Sequence, residues 1–198
     1  MMPTSQSISN SLYGAWRLAN RDSDGLNFFE ITAEGFYQSF FAAVLLIPFH
    51  ILLVLIQFNG FPGDWGKLWL AEALIYALDW ITYPILMIGI SRMLHLSQNY
   101  APYIIAYNWS KVVIMALWLP LTIVVSAGLV SHVIAQVLNI GSFIAVLYYL
   151  WFISRTALQA SAQTAIGLVI LETLTSLLLQ FSIIRLIDWA IWGLAAGQ

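Results

Sequence analysis

The chain has 198 residues, of which 61% are hydrophobic and only 8% are charged, and its formal net charge is −2 at pH 7. A typical soluble domain has about 25% charged residues, so this composition excludes a soluble enzyme, a secreted domain, a disordered segment and a basic nucleic-acid-binding protein. The absence of cysteine excludes disulfides, thiolate metal sites and a cysteine nucleophile. What remains is an all-α fold, a polytopic transmembrane helical bundle.

Residues 1–35 precede the first long apolar run and predict a cytoplasmic N-terminal segment that contains a short amphipathic helix. On a helical wheel, Leu12 and Trp16 share one side, whereas Arg17 and Arg21 share the other. A helix of this kind is suited to lie in the membrane interface, with Trp16, Arg17 and Arg21 as candidate interfacial anchors. Alternatively, the helix is an amphipathic cap packed on the cytoplasmic end of the bundle, and the two readings do not exclude each other.

Five apolar segments follow, each long enough to cross a bilayer core of about 30 Å, which takes about 20 helical residues. The charge-free stretch 112–154 is long enough for two crossings, and we divide it at Ser126, Ala127 and Gly128 as the turn between the third and fourth segments. Thr32 is a predicted N-cap of the first span. Within a transmembrane bundle of residues 36–198, the predicted spans are 36–58, 68–92, 104–126, 130–153 and 164–186.

The distribution of cations between the two sides of the bundle predicts its orientation. Five predicted spans place the two chain ends on opposite sides, and the N-terminal side has more Lys and Arg than the other. The cations on the N-terminal side are Arg17, Arg21, Arg92, Lys111 and Arg155, and those on the other side are Lys67 and Arg185. The positive-inside rule then predicts a cytoplasmic N-terminus, and we expect the protein in the bacterial inner (cytoplasmic) membrane.

A candidate intramembrane polar cluster is formed by Glu72, Asp79, Lys111 and Glu172. Glu72 and Asp79 lie on one stripe of the second span together with Tyr76 and Tyr83, because their spacings are those of one helix face. An ionisable residue at this depth is costly and must face protein or water. We favour an interhelical polar lock that orients the spans, and the alternative is a proton or ion path.

The depths of these residues predict which of them meet. Lys111 and Glu172 lie at nearly the same depth in spans three and five, while Asp79 lies near the midplane of span two. We therefore expect Lys111 to contact Glu172, with Asp79 as the second choice of partner, in a cluster that joins spans two, three and five. An unpaired charge at this depth would be expensive.

The sequence contains no motif that specifies a reaction. It has no HExxH, no GxSxG and no phosphate-binding glycine loop, and its three histidines are isolated from other metal ligands at helical spacing. We therefore predict that the protein is not an enzyme and that it has no cofactor, no metal site and no nucleic-acid partner.

Three segments resemble bacterial members of the Yip (Ypt-interacting protein) family of small polytopic membrane proteins. They are residues 11–19 (SLYGAWRLA), 35–40 (GFYQSF) and 106–110 (AYNWS). The resemblance implies a short cytoplasmic N-terminal segment followed by about five spans, and it assigns no functional residue. Eukaryotic relatives assist vesicle trafficking with small GTPases, but the acidic Gly-Pro motif associated with them is missing here.

Two functions follow as expectations. The first is a non-enzymatic scaffold or accessory subunit of a larger membrane assembly, because the connections are short and the chain presents little besides lipid-facing helices. Its partners are then the lipid bilayer and other membrane proteins. The alternative is a small transporter or channel that uses the intramembrane acidic residues, with an unidentified small-molecule substrate. A water-accessible cavity along the stripe of span two would favour the alternative, and a dry, tightly packed stripe would count against it.

Overall fold

A computed structural model describes residues 2–192, and the regular structure in this range is entirely helical. The α-helices are α1 (Ser5–Ala19), α2 (Ala33–Ser39), α3 (Phe41–Gln57), α4 (Trp65–Met93), α5 (Tyr100–Ser126), α6 (His132–Thr156) and α7 (Ala162–Trp192). Two 3₁₀ turns, Ser23–Phe28 and Ser97–Asn99, precede α2 and α5.

Within residues 2–192, five helical stretches are long and apolar enough to cross a membrane, which confirms the predicted number of spans and the all-α fold. The helices α2 and α3 together form the first stretch, and α4 to α7 contribute one each. The chain is an integral membrane protein with a short helix before its first span. Residues 193–198 of the predicted bundle lie outside the described residues.

Polar caps determine where the first, second and fourth spans begin. The side chains of Thr32, Asp64 and Ser131 each accept a hydrogen bond from a backbone amide two or three residues later, at 3.0, 2.8 and 3.4 Å. These bonds satisfy amides that have no partner within the helix. The predicted cap at Thr32 is confirmed, and the caps explain why α4 begins before residue 68 and α6 after residue 130.

The first span is interrupted at Phe40, although the sequence predicts one continuous helix. The Ser39 hydroxyl donates to the carbonyl oxygen of Phe36 at 2.7 Å. The Phe40 amide, which would bond this carbonyl in a regular helix, donates instead to Tyr37 at 3.3 Å. A serine side chain that competes for a backbone carbonyl commonly bends a helix in this way.

The predicted turn between the third and fourth spans is confirmed. Gly128 has a positive φ of 69°, and its amide and that of Leu129 donate to Val125 and Val124 at 3.1 and 3.2 Å. This pair of bonds is the Schellman motif, in which glycine adopts the left-handed conformation without steric cost.

The N-terminal helix α1 packs against α5 and α6 through Ser11, Ala15 and Leu18, which are buried. The Tyr149 hydroxyl on α6 donates to the carbonyl oxygen of Ala15 at 2.7 Å. The helix is therefore a cap on one end of the bundle, in agreement with one of the two predicted readings.

A close glycine contact holds the turn Ser23–Phe28 against α1. A Cβ atom at Gly14 would lie 2.7 Å from the carbonyl oxygen of Gly25, and a Cβ at Gly25 would lie 2.6 Å from that of Gly14. No real side chain tolerates such a distance from backbone, so both positions require glycine for this approach.

Packing is much tighter in the half of the bundle that carries α1. On α5, the buried residues form one continuous run, from Tyr103 to Ser110. In this half, the Asn108 side chain donates to the Ser39 hydroxyl at 2.9 Å, so two of the segments that resemble the Yip family are in contact. Beyond Ser110 the side chains of α5 are only partly covered, and the helices leave space between them.

Candidate functional site

The polar stripe of α4 faces the neighbouring helices along its whole length. The Tyr76 hydroxyl donates to the carbonyl oxygen of Ala43 on α3 at 2.6 Å, and the hydroxyls of Tyr83 and Tyr103 are 2.7 Å apart between α4 and α5. Glu72 and Asp79 also contact neighbouring spans, through His50 on α3 and Lys111 on α5.

Lys111 forms an ion pair with Asp79, not with Glu172 as predicted. The Lys111 ammonium lies 2.6 Å from Oδ2 of Asp79 and 3.1 Å from the backbone carbonyl oxygen of the same residue. It also lies over the rings of Trp80 and Tyr107, at 4.5 and 5.3 Å from their centroids. Asp79 presents a carboxylate oxygen and a backbone carbonyl oxygen to the ammonium, and the adjacent Trp80 presents its ring. These contacts explain why Lys111 pairs with Asp79, the second predicted partner.

Glu172 is held by hydroxyl groups instead of a cation. The Tyr107 hydroxyl donates to its Oε1 at 3.2 Å, and the Ser176 hydroxyl lies 3.4 Å from the same oxygen. Within residues 2–192, no Lys, Arg or His nitrogen lies within 4.0 Å of this carboxylate. The contacts join α4, α5 and α7, as expected for spans two, three and five, but it is Tyr107 rather than Lys111 that connects α5 to Glu172 on α7.

A second pair, between His50 on α3 and Glu72 on α4, was not predicted. Nε2 of His50 lies 3.4 Å from Oε2 of Glu72, without the geometry of a hydrogen bond, and the His50 ring packs against that of Tyr76. His50 lies seven residues before the end of α3 at Gln57, and Glu72 lies seven residues after the start of α4 at Trp65. This equal depth in a helical hairpin was the signal in the sequence, and treating the histidines as isolated missed it.

Asp79, Lys111 and Glu172 line a central cavity of about 430 Å³, to which all five spans contribute. Asp79 is at the middle of α4, and Lys111 and Glu172 are at the middle of their spans. The cavity therefore lies at the depth where charged groups are most costly. Most of its surface is apolar, and its aromatic walls are Tyr76, Trp80, Trp118 and Phe143. Its ionisable lining residues are His50, Tyr76, Asp79, Lys111 and Glu172.

The four residues of the predicted cluster do not form one contact network. Glu72 is buried beside His50 and lines a separate space between α3 and α4. Only Asp79, Lys111 and Glu172 line the central cavity. Tyr107 and His50 are the site residues that the sequence analysis did not predict. Nothing in the sequence distinguishes Tyr107, whereas the depth of His50 in α3 matches that of Glu72 in α4.

The candidate interfacial anchors on α1 have different surroundings. Trp16 is 59% exposed, beside Tyr13 at 51%, so aromatic surface remains free at this end of the bundle. Arg17 instead pairs with Asp22 and lies over the Phe28 ring, and Arg21 lies over the Tyr148 ring at 4.7 Å. The helix thus both caps the bundle and keeps an exposed aromatic face.

No group of three or more His, Asp or Glu side chains that could hold a metal ion occurs in the described part of the chain. Comparison with protein-family models, curated proteins and solved structures finds no match for this chain. The resemblance to the Yip family therefore stays a prediction, and the functional argument depends on the cavity.

Proposed function

We propose that this protein is a small, non-enzymatic membrane transporter whose substrate site is the central cavity. The observation that supports the proposal is the cavity itself, which brings Asp79, Lys111 and Glu172 together at mid-membrane depth. The volume of about 430 Å³ lies within the range of about 300–1,000 Å³ typical of ligand pockets, and charged side chains from three spans line this cavity.

The electrostatics of the three residues support coupling to a proton or another cation. Lys111 and Asp79 compensate each other, whereas Glu172 receives only hydroxyl hydrogen bonds. An isolated acidic side chain at the helix centre costs roughly 2.5–3.5 kcal/mol on insertion scales when it is ionised. We take Glu172 as the acidic group at which a proton or a cationic ligand binds, and exchange of one for the other is the elementary step of coupled transport.

Cysteine accessibility separates a hydrated cavity from a dry lock. The chain contains no cysteine, so a single introduced thiol gives an unambiguous signal. Ser176 lines the cavity, whereas Leu174, two residues earlier on α7, is 52% exposed on the outer surface of the bundle. We expect Ser176→Cys to react with a membrane-impermeant thiol reagent and Leu174→Cys to remain unlabelled. A Ser176→Cys protein that does not react from either side of the membrane would contradict the proposal.

Transport is tested in proteoliposomes by recording charge movement on a solid-supported membrane while small solutes are applied. The panel contains organic amines, quaternary ammonium ions, amino acids and sugars. We expect at least one class to evoke a current in the wild-type protein that Asp79→Asn abolishes. Asp24→Asn is the matched control, because the Asp24 side chain is 72% exposed outside the membrane spans. Absence of any solute-evoked current, or a wild-type current in Asp79→Asn, would refute the proposal.

A scaffold or accessory-subunit role is the second candidate. It is supported by the short connections between spans, such as residues 94–99 and 157–161, and by the exposed aromatic face of α1. Purification in mild detergent with mass spectrometry of co-purifying proteins tests it. A chain that purifies alone as a monodisperse monomer or homodimer would remove the support for this role.

We also propose that the N-terminus is cytoplasmic and that the membrane is a bacterial inner membrane. Lys111 lies at mid-span in an ion pair, so it no longer counts as a flanking cation. The remaining cations on the N-terminal side are Arg17, Arg21, Arg92 and Arg155, against Lys67 and Arg185 on the other side. The excess of cations on the N-terminal side is smaller than the sequence indicates, but it still predicts a cytoplasmic N-terminus.

A further inference from the structure

We propose that the central cavity binds a lipophilic organic cation, such as a quaternary ammonium ion with an aromatic substituent, and that Glu172 is its counter-charge. This inference names the substrate class for the proposed transport function and rests on it. It goes beyond that function because a cavity of the same size could equally serve a sugar, an anion or a metal ion.

The charges of the cavity favour a cation over an anion. The Lys111 ammonium already contacts two oxygens of Asp79, a carboxylate oxygen at 2.6 Å and the backbone carbonyl oxygen at 3.1 Å. It therefore offers little to an anionic ligand. Glu172 lines the same cavity, and no cation of the described residues lies within ion-pair distance of it, so the charged group without an ion-pair partner is a carboxylate.

The walls of the cavity favour an organic cation over a metal ion. Hard metal ions require about six oxygen ligands, whereas this lining is mainly carbon and no metal-binding group of acids and histidines occurs in residues 2–192. Aromatic rings attract the positive charge of an alkylated ammonium through their faces, and Tyr76, Trp80, Trp118 and Phe143 all line the cavity. The Lys111 ammonium over the ring of Trp80, at 4.5 Å, already uses this interaction.

The test measures binding of benzyltrimethylammonium to the full chain in detergent by equilibrium dialysis. Neopentylbenzene, which has the same shape without the charge, is measured in parallel, and protein-free micelles give the background. We expect saturable binding of the cation and at least about tenfold weaker binding in Glu172→Gln. Glu34→Gln makes the same chemical change at an exposed position outside the cavity and should bind like the wild type.

Monodisperse elution and helical circular dichroism show whether Glu172→Gln folds. Two further variants keep the test decisive if it does not. Glu172→Asp retains the charge and should bind within a few-fold of the wild type. Trp118→Leu removes one aromatic wall and should weaken binding of the cation several-fold while leaving binding of neopentylbenzene unchanged. Equal losses for the cation and the neutral compound would overturn the inference.

Failure of this inference is distinguishable from failure of the proposed function. Wild-type protein that does not bind the cation above the micelle background, or equal binding by folded Glu172→Gln, refutes the cation site even if another solute evokes an Asp79-dependent current. Conversely, Glu172-dependent binding without any transport current supports the cation site and refutes transport.

Discussion

Replacing Lys111 by methionine removes the cation of the central ion pair while keeping a side chain of similar length. Asp79 then loses its partner at the middle of α4. Breaking a fully buried ion pair costs about 3–5 kcal/mol, because one charge remains uncompensated. The Asp79 side chain is 40% exposed, against 14% for Lys111, so protein does not fully enclose the stranded carboxylate and the penalty is smaller than for a fully buried charge. We therefore expect a loss of about 2–3 kcal/mol in the free energy of unfolding.

The double variant Lys111→Met with Asp79→Leu removes both charges and should lose much less stability than Lys111→Met alone. Replacement of a buried pair by apolar residues of similar volume is often neutral, so we expect a stability within about 1 kcal/mol of the wild type. In Asp79→Leu alone, Lys111 still lies near the rings of Trp80 and Tyr107 and can turn towards Glu172. We expect this single change to cost about 1–2 kcal/mol.

The assay is equilibrium unfolding of the purified protein in mixed micelles with increasing sodium dodecyl sulfate, followed by tryptophan fluorescence. The three variants form a double-mutant cycle, which isolates the interaction between the two residues. Arg92→Met is the control for loss of a cation, because Arg92 is exposed in the last turn of α4 and should cost under about 1 kcal/mol. If the double variant loses as much stability as the two single variants together, the ion pair assigned here is refuted.

Three other predictions concern the N-terminal cap, a strained turn and the topology. Gly14→Ala should separate the turn at Gly25 from α1, since the added Cβ would lie 2.7 Å from a backbone oxygen. We expect faster proteolysis of the N-terminal segment in this variant, and resistance equal to that of the wild type would contradict the prediction. His95→Gly should raise the free energy of unfolding by about 0.5–1 kcal/mol, because His95 has a φ of 57°, and unchanged or lower stability would argue against strain there. A reporter before Met1 should behave as cytoplasmic and one after Gln198 as periplasmic; the same side for both would mean that the number of crossings is not five.

The amino-acid sequence by itself determined the class of the fold and the number of crossings. A bilayer of fixed thickness requires long, predominantly apolar segments, and the chain has room for five of them. Local chemistry determined some of the boundaries as well. Thr32 has a hydroxyl that caps a helix, and Gly128 is free to adopt the left-handed conformation, so both act through their immediate neighbours.

Only the tertiary structure decided which polar residues meet. The partner of Lys111 depends on how α4 and α7 are rotated about their own axes, and hydrophobic periodicity is nearly absent from helices that are apolar on all sides. The same rotation places His50 beside Glu72 and the Tyr107 hydroxyl on Glu172. The cavity exists because the half of the bundle with α1 packs closely while the other half does not, and no local pattern encodes a space between five helices.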